Sequence, residues 1–321
     1  MPILVPSQAV PPGEQEGPGW PTRINWMPRV SFTDPRGVTT LFSDWERGWL
    51  LQPGAKGLDM PEYQVATDES PGIDGYEVRD IRAQGKQIIL PIAFWANDSR
   101  QAYKARRRAL INSLNPKRGV GTLTLTEPDG ATRSIGAYYT SGLEGDESLD
   151  AAGERWCINA LTFGVPSPYW VGEPVTQSWK AGSDDEFFPL LPLVVGDSQV
   201  LGEVTVDNLG DDVAYPVWTI HGPATGITLT NTVTDFATGE SAVRELTVER
   251  TLTDTDTIVL DTRERRQTAL LNGTTNLWPD LSDASVMWPL EEGRNQLNLI
   301  VDGSTGTTSV SMTYQPRYLA S

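Results

Sequence analysis

Acid–base or nucleophilic chemistry at neutral pH needs a tunable proton carrier or an activated nucleophile, and this chain supplies few. Its only histidine, His221, lies in the run PVWTIHGP at 216–223, at the end of a strand-like stretch and beside a turn. A structural imidazole is expected there. The single cysteine, Cys157, has no histidine or basic cluster adjoining it in sequence and sits in an apolar run, so it reads as a small packing side chain rather than a reactive thiol. One cysteine cannot form a disulfide within the chain, and zinc sites built from several His or Cys ligands are excluded by count. No Gly-x-Ser-x-Gly elbow, phosphate-binding glycine loop or His-Glu-x-x-His helix is present. Asp254 and Asp256, in TDTDT at 253–257, lack the glycine and terminal glutamate of a calcium loop and read as a polar hairpin turn. The 42 acidic residues include enough carboxylates for a glycosidase pair, which leaves no sequence signature to test. The expectation is a protein that is not an enzyme and uses no cofactor or metal.

Binding chemistry is better represented. Eleven tryptophans are present, and exposed indole rings on a β-sandwich can stack on sugar faces. Trp278 and Trp288, each followed by proline, are the candidates for sugar contact; Trp218 alternates with Ile220 and is expected in a core. The one basic concentration comprises Arg100, Lys104, Arg106, Arg107, Arg108, Lys117 and Arg118. It is either a contact surface for an anionic partner, or a solvated helix with salt bridges to another subunit. The rest of the chain is acidic. Residues 1–170 hold 17 Lys and Arg against 20 Asp and Glu, whereas residues 171–321 hold 8 against 22, and the net charge is −17. Such a chain repels polyanions, which argues against nucleic acid as a partner.

The elements that must position these residues are mostly strands. At 321 residues two domains are the default. Residues 1–20 are rich in Pro and Gly without strand or helix period and are expected to form an extended arm. They lack the basic start and apolar run of a secretory signal, and no segment has the ~18 consecutive apolar residues of a membrane span. Synthesis in the cytoplasm without a signal peptide is expected. Strand-like runs are predicted at 29–33, 38–42, 76–82, 86–95, 122–126 and 132–139. One helix is predicted over 98–114, with Asp98 and Gln101 as a capping box, Tyr103, Leu110 and Leu114 on its apolar stripe, and Ala102, Ala109 and Ile111 widening it. Asn115 and Pro116 end it. A linker is expected over 172–200, around the acidic patch at 184–186. Beyond it, apolar alternation at Ile227, Leu229 and Val233, at Leu246 and Val248, and at Leu297, Leu299 and Val301, with turns at 208–211, 238–240, 291–293 and 302–303, predicts an antiparallel sandwich.

The order of these pieces resembles a known family. KQIILPIAF at 86–94, the helix, LNPKRG at 114–119, LTL at 123–125, PDG at 128–130, Arg133, Tyr139, LTF at 161–163 and SPYW at 167–170 are similar to the siphovirus-type tail component (Dit-type distal tail) domain. VDNLGD at 206–211, YP at 215–216, IHGP at 220–223, VLDT at 259–262 and GRNQL at 293–297 resemble the galectin-like C-terminal sandwich of such proteins. The resemblance implies a mainly β fold: a barrel- or sandwich-like tail domain with one helix over 21–171, then a galectin-like jelly roll over 201–321. It further implies a structural virion protein at the distal end of a phage tail, whose copies close a ring, six by the family pattern, between the tail tube protein and the tail-tip hub. Receptor-binding proteins or host wall glycan are further partners it allows. The alternative is a carbohydrate-binding adhesion module that itself recognises the host wall.

Overall fold

The computed structural model describes residues 28–69, 72, 74–144, 156–181, 198–234 and 241–321. The expected N-terminal arm, the acidic patch at 184–186 and the turn at 238–240 lie outside the described residues. In chain order the first body contains β1 (Arg29–Thr33), β2 (Thr39–Leu41), β3 (Trp49–Leu51), β4 (Tyr63–Asp68), β5 (Glu77–Ala83), β6 (Lys86–Trp95), α1 (Arg100–Ser113), β7 (Gly121–Thr126), β8 (Thr132–Ser141), β9 (Trp156–Val165) and β10 (Trp170–Val171). The second contains β11 (Val175–Lys180), β12 (Ser198–Val200), β13 (Glu203–Asn208), β14 (Val217–His221), β15 (Gly226–Thr234), β16 (Ser241–Val248), β17 (Thr257–Asp261), β18 (Thr268–Leu271), β19 (Thr275–Asn276), β20 (Gly293–Asp302), β21 (Ser309–Tyr314) and β22 (Arg317–Tyr318). The fold is mainly β, with one α-helix among the described residues.

The first body is built on a sheet in the order β2-β1-β7-β8-β9-β6-β3, with β4 and β5 forming a separate two-stranded sheet. Alternation does the work: Ile88, Leu90, Ile92 and Phe94 of β6 turn inward beside Leu161 and Phe163 of β9, each worth about 1.5–3 kcal/mol of apolar burial. Helix α1 packs on this core through Tyr103, Leu110 and Leu114, with the Tyr103 ring stacked on Phe94 at 5.4 Å. Two details differ from the sequence expectation. Ser99, not Asp98, is the N-cap: its extended backbone lets the hydroxyl accept from the Ala102 N–H at 3.1 Å. Ile111 and Ala109 are exposed, because the sheet covers only the narrow stripe of Tyr103, Leu110 and Leu114.

The second body is a sandwich. A seven-stranded sheet, β12-β11-β21-β14-β17-β18-β19, faces a four-stranded sheet, β13-β20-β15-β16; all named pairings are antiparallel except β11 with β12. The alternating residues Ile227, Leu229, Leu246, Val248, Leu297 and Leu299 fill the space between them. Trp218 lies at its centre, 6.2 Å from Trp179 and 5.5 Å edge-on to Trp288. A buried polar knot closes one end. Asn208 Nδ2 donates to the carbonyls of Asp212 and Glu291 at 2.9 and 3.3 Å, and Asn295 Oδ1 accepts from Asn231 Nδ2 and the Glu291 N–H at 3.1 and 2.8 Å. The runs VDNLGD and GRNQL therefore meet here, with Asn208 opposite Gly293 in the ladder.

The chain then returns to the first body. β22 pairs with β10, and β10 with β8, so residues following the second sandwich extend the first sheet. The Arg317 guanidinium lies 3.8 Å from the Tyr169 ring and 5.4 Å from that of Tyr215; Arg133 sits 3.9 Å over Tyr318 and donates to the Ala320 carbonyl at 2.8 Å. This strap fastens the two bodies together.

Candidate assembly interface

The described residues offer no catalytic constellation. His221 is exposed and its Nδ1 lies 2.8 Å from the Thr257 hydroxyl. Cys157 is half-buried, and burial pushes its thiol above the ordinary value, away from reactivity. Asp256 accepts from the Thr253 hydroxyl and N–H at 2.7 and 2.8 Å and from Asn272. These bonds hold its carboxyl at about 2 and make the segment a turn.

What the surface does present is apolar. Among the described residues hairpin β4–β5 pairs with no other strand, and almost all of its residues are exposed. Opposed residues of an antiparallel ladder share a face. Val65 faces Ile81 and Tyr63 faces Ala83, and a bulge at Arg79 brings Val78 opposite Thr67 on the same side. Tyr63, Val65, Val78 and Ile81 thus form one uncovered apolar face. The opposite face is charged, with Arg82 paired to Asp80 at 3.3 Å, while Arg79 at the bulge meets Asp68 at 2.6 Å. A lone two-stranded hairpin is marginal in water.

A second uncovered apolar surface lies on the outer side of β6 and β9. The ladder places Trp95 opposite Trp156, Ala93 opposite Ile158 and Pro91 opposite Ala160; Trp156 and Ile158 are 46% and 55% exposed. Trp45 stands edge-on to Trp95 at 4.7 Å. Sequence reading missed this cluster because the indoles lie far apart in the chain and only strand register unites them.

The expected sugar contacts divide. Trp288 is fully buried in the sandwich core, against Trp218, so its ring cannot stack on a ligand. Trp278 is 45% exposed, alone at the start of a 3-10 turn. The basic residues divide as well. Arg106 donates to the Trp95 carbonyl at the end of β6, Arg118 donates to Asn112 in the last turn of α1, and Arg107 lies near Cys157. Arg100, Lys104 and Arg108 form an exposed stripe along α1, and Lys117 is exposed beyond it.

Residues 210–318 match the model of the siphovirus-type tail component C-terminal domain. The structure resembles the SPP1 Dit protein, described as a paradigm of the hub adsorption apparatus in phages infecting Gram-positive bacteria, with TM-score 0.62 at 14% identity over 91% of this chain and 99% of that one. The fold is of the Dit type. A chain of the phage P2 baseplate in its activated conformation also aligns, with TM-score 0.48 and 12% identity over 90% of this chain and 98% of that one. No curated protein sequence matches. The likeness shows the fold over nearly the whole chain, and the sequence match is to the C-terminal domain. The matched residues include Asn231, Glu291 and Asn295 of the buried polar knot, and β22 of the strap. No helix among the described residues is long and apolar enough to cross a membrane.

Proposed function

We propose that this chain is a non-enzymatic ring subunit of the phage tail tip, located in the virion between the tail tube protein and the hub that carries the adhesion apparatus. One observation supports it above the rest: the same chain exposes two dissimilar apolar β surfaces, the hairpin face of Tyr63, Val65 and Ile81 and the outer face of Trp95, Trp156 and Ile158. Two different patches on one molecule suit a heterologous head-to-tail contact, which closes into a ring when the rotation allows. In this reading each hairpin lies on the outer sheet face of the next copy, and six copies, as the family resemblance implies, complete the circle. Electron microscopy of the purified full chain tests the ring. Closed annular particles are expected, and a monodisperse monomer at assembly concentrations refutes it. Antibody labelling of virions tests the location; label anywhere but the tube's distal end counts against it.

The glycan-binding alternative now rests on Trp278 alone. Loss of host-wall binding on Trp278→Ala, with the ring intact, would establish it as an added property.

A further inference from the structure

We infer that the exposed basic stripe of α1, Arg100, Lys104 and Arg108, is a seat for carboxylates on the acidic second domain of another copy of this chain. The inference rests on the assembly reading above and adds a second, electrostatic contact to the apolar one.

The stripe is placed where folding does not favour it. Arg100, Lys104 and Arg108 follow one another at four-residue intervals, so like charges stand one turn apart, an arrangement that destabilises a helix. Arg100 is the first helical residue, and no acidic side chain occupies the first turn, although the positive end of the helix dipole favours anions there. Among the described residues no ion pair or hydrogen bond engages these three side chains, in a chain with 42 carboxylates. Local rules broken without compensation among the described residues point to a partner for these side chains.

Beside the stripe lies a shallow depression lined by Ala105, Ala109, Ile111 and Asn112. Small side chains there permit a flat surface to approach, and Ile111, exposed on α1, gains cover when it does. The chain itself supplies the complementary charge: 22 acidic against 8 basic residues over 171–321. A nucleic acid partner is disfavoured by the net charge of −17, because long-range repulsion outweighs three cations.

The test measures self-association of the full chain by sedimentation, for wild type and for Arg100→Glu/Lys104→Glu/Arg108→Glu. Arg265→Glu/Arg266→Glu controls for added net charge, and circular dichroism confirms the fold. Three exposed pairs predict a loss of about tenfold in association for the triple variant, little change for the control, and weaker wild-type association as salt rises from ~0.05 to ~0.5 M. If the triple glutamate variant does not fold, the triple glutamine variant gives the same reading. Association that ignores both salt and the substitutions overturns the inference while leaving the ring intact. A wild type that stays monomeric sinks the ring reading and this one together. Binding of a duplex DNA fragment that the triple variant loses, with self-association unchanged, also overturns it.

Discussion

Removing the apolar face of the β4–β5 hairpin should dissolve the assembly without weakening the fold. In the double variant Val65→Ser/Ile81→Ser, two opposed side chains that are 47% and 57% exposed in the single chain lose their hydrocarbon. Full burial of such a side chain is worth about 1.5–3 kcal/mol. Covering the remaining half of each therefore contributes about 1 kcal/mol, or ~2 kcal/mol per contact, equivalent to about a thirtyfold rise in dissociation constant. Neither residue belongs to either hydrophobic core, so the melting temperature should stay within a degree or two of wild type. Sedimentation equilibrium gives the association constant and calorimetry the melting temperature, both on the full chain. An association constant within threefold of wild type would refute the proposed contact. A clear fall in melting temperature would show instead that the hairpin belongs to the fold of its own subunit.

Arg317→Ala should loosen the strap: the lost contacts with Tyr169 and Tyr215 cost about 1–3 kcal/mol, and limited proteolysis near residues 172–174 should accelerate while the second sandwich stays folded. Trp288→Ala should cost about 3–5 kcal/mol of stability measured in denaturant, whereas Trp278→Ala should change it by no more than about 0.5 kcal/mol. At low pH, the Asp256 carboxyl, held at about 2 by its bonds to Thr253 and Asn272, contributes stability that is present above the ordinary value of 3.8 and lost as pH falls toward 2. Asp256→Asn should flatten that part of a stability–pH curve, and an unchanged acid limb would contradict the bonding described. At high pH the sign reverses in form. Burial and a hydrogen bond to Glu264 raise the Tyr215 hydroxyl to about 12, so its contribution is intact below pH 10, where the free phenol titrates, and fades as pH approaches 12; Tyr215→Phe should abolish that alkaline limb.

Strand periodicity and helix composition carry far because they are local. The run at 86–95 is a strand over those same residues, and Leu246, Val248, Leu297 and Leu299 point inward as their alternation implies. Strands at Trp49–Leu51 and Tyr63–Asp68 escaped notice, the first because three residues show no period and the second because its polar and apolar residues alternate without a core to face. Composition likewise argued against metal and nucleophilic chemistry through scarcity of His and Cys alone, and ordered motifs pointed to the tail component family.

Residue types and spacing by themselves determined the mainly β class, the helix at Arg100–Ser113, most core positions and the absence of familiar catalytic motifs. Tertiary structure alone decided which tryptophan was buried, which arginines were spent on backbone carbonyls, that Trp45, Trp95 and Trp156 gather on one face, and that β22 returns to the first sheet. The division has a physical cause: periodicity records which side of an element is apolar, whereas exposure depends on what chain segment, often a hundred residues away, comes to lie against that side.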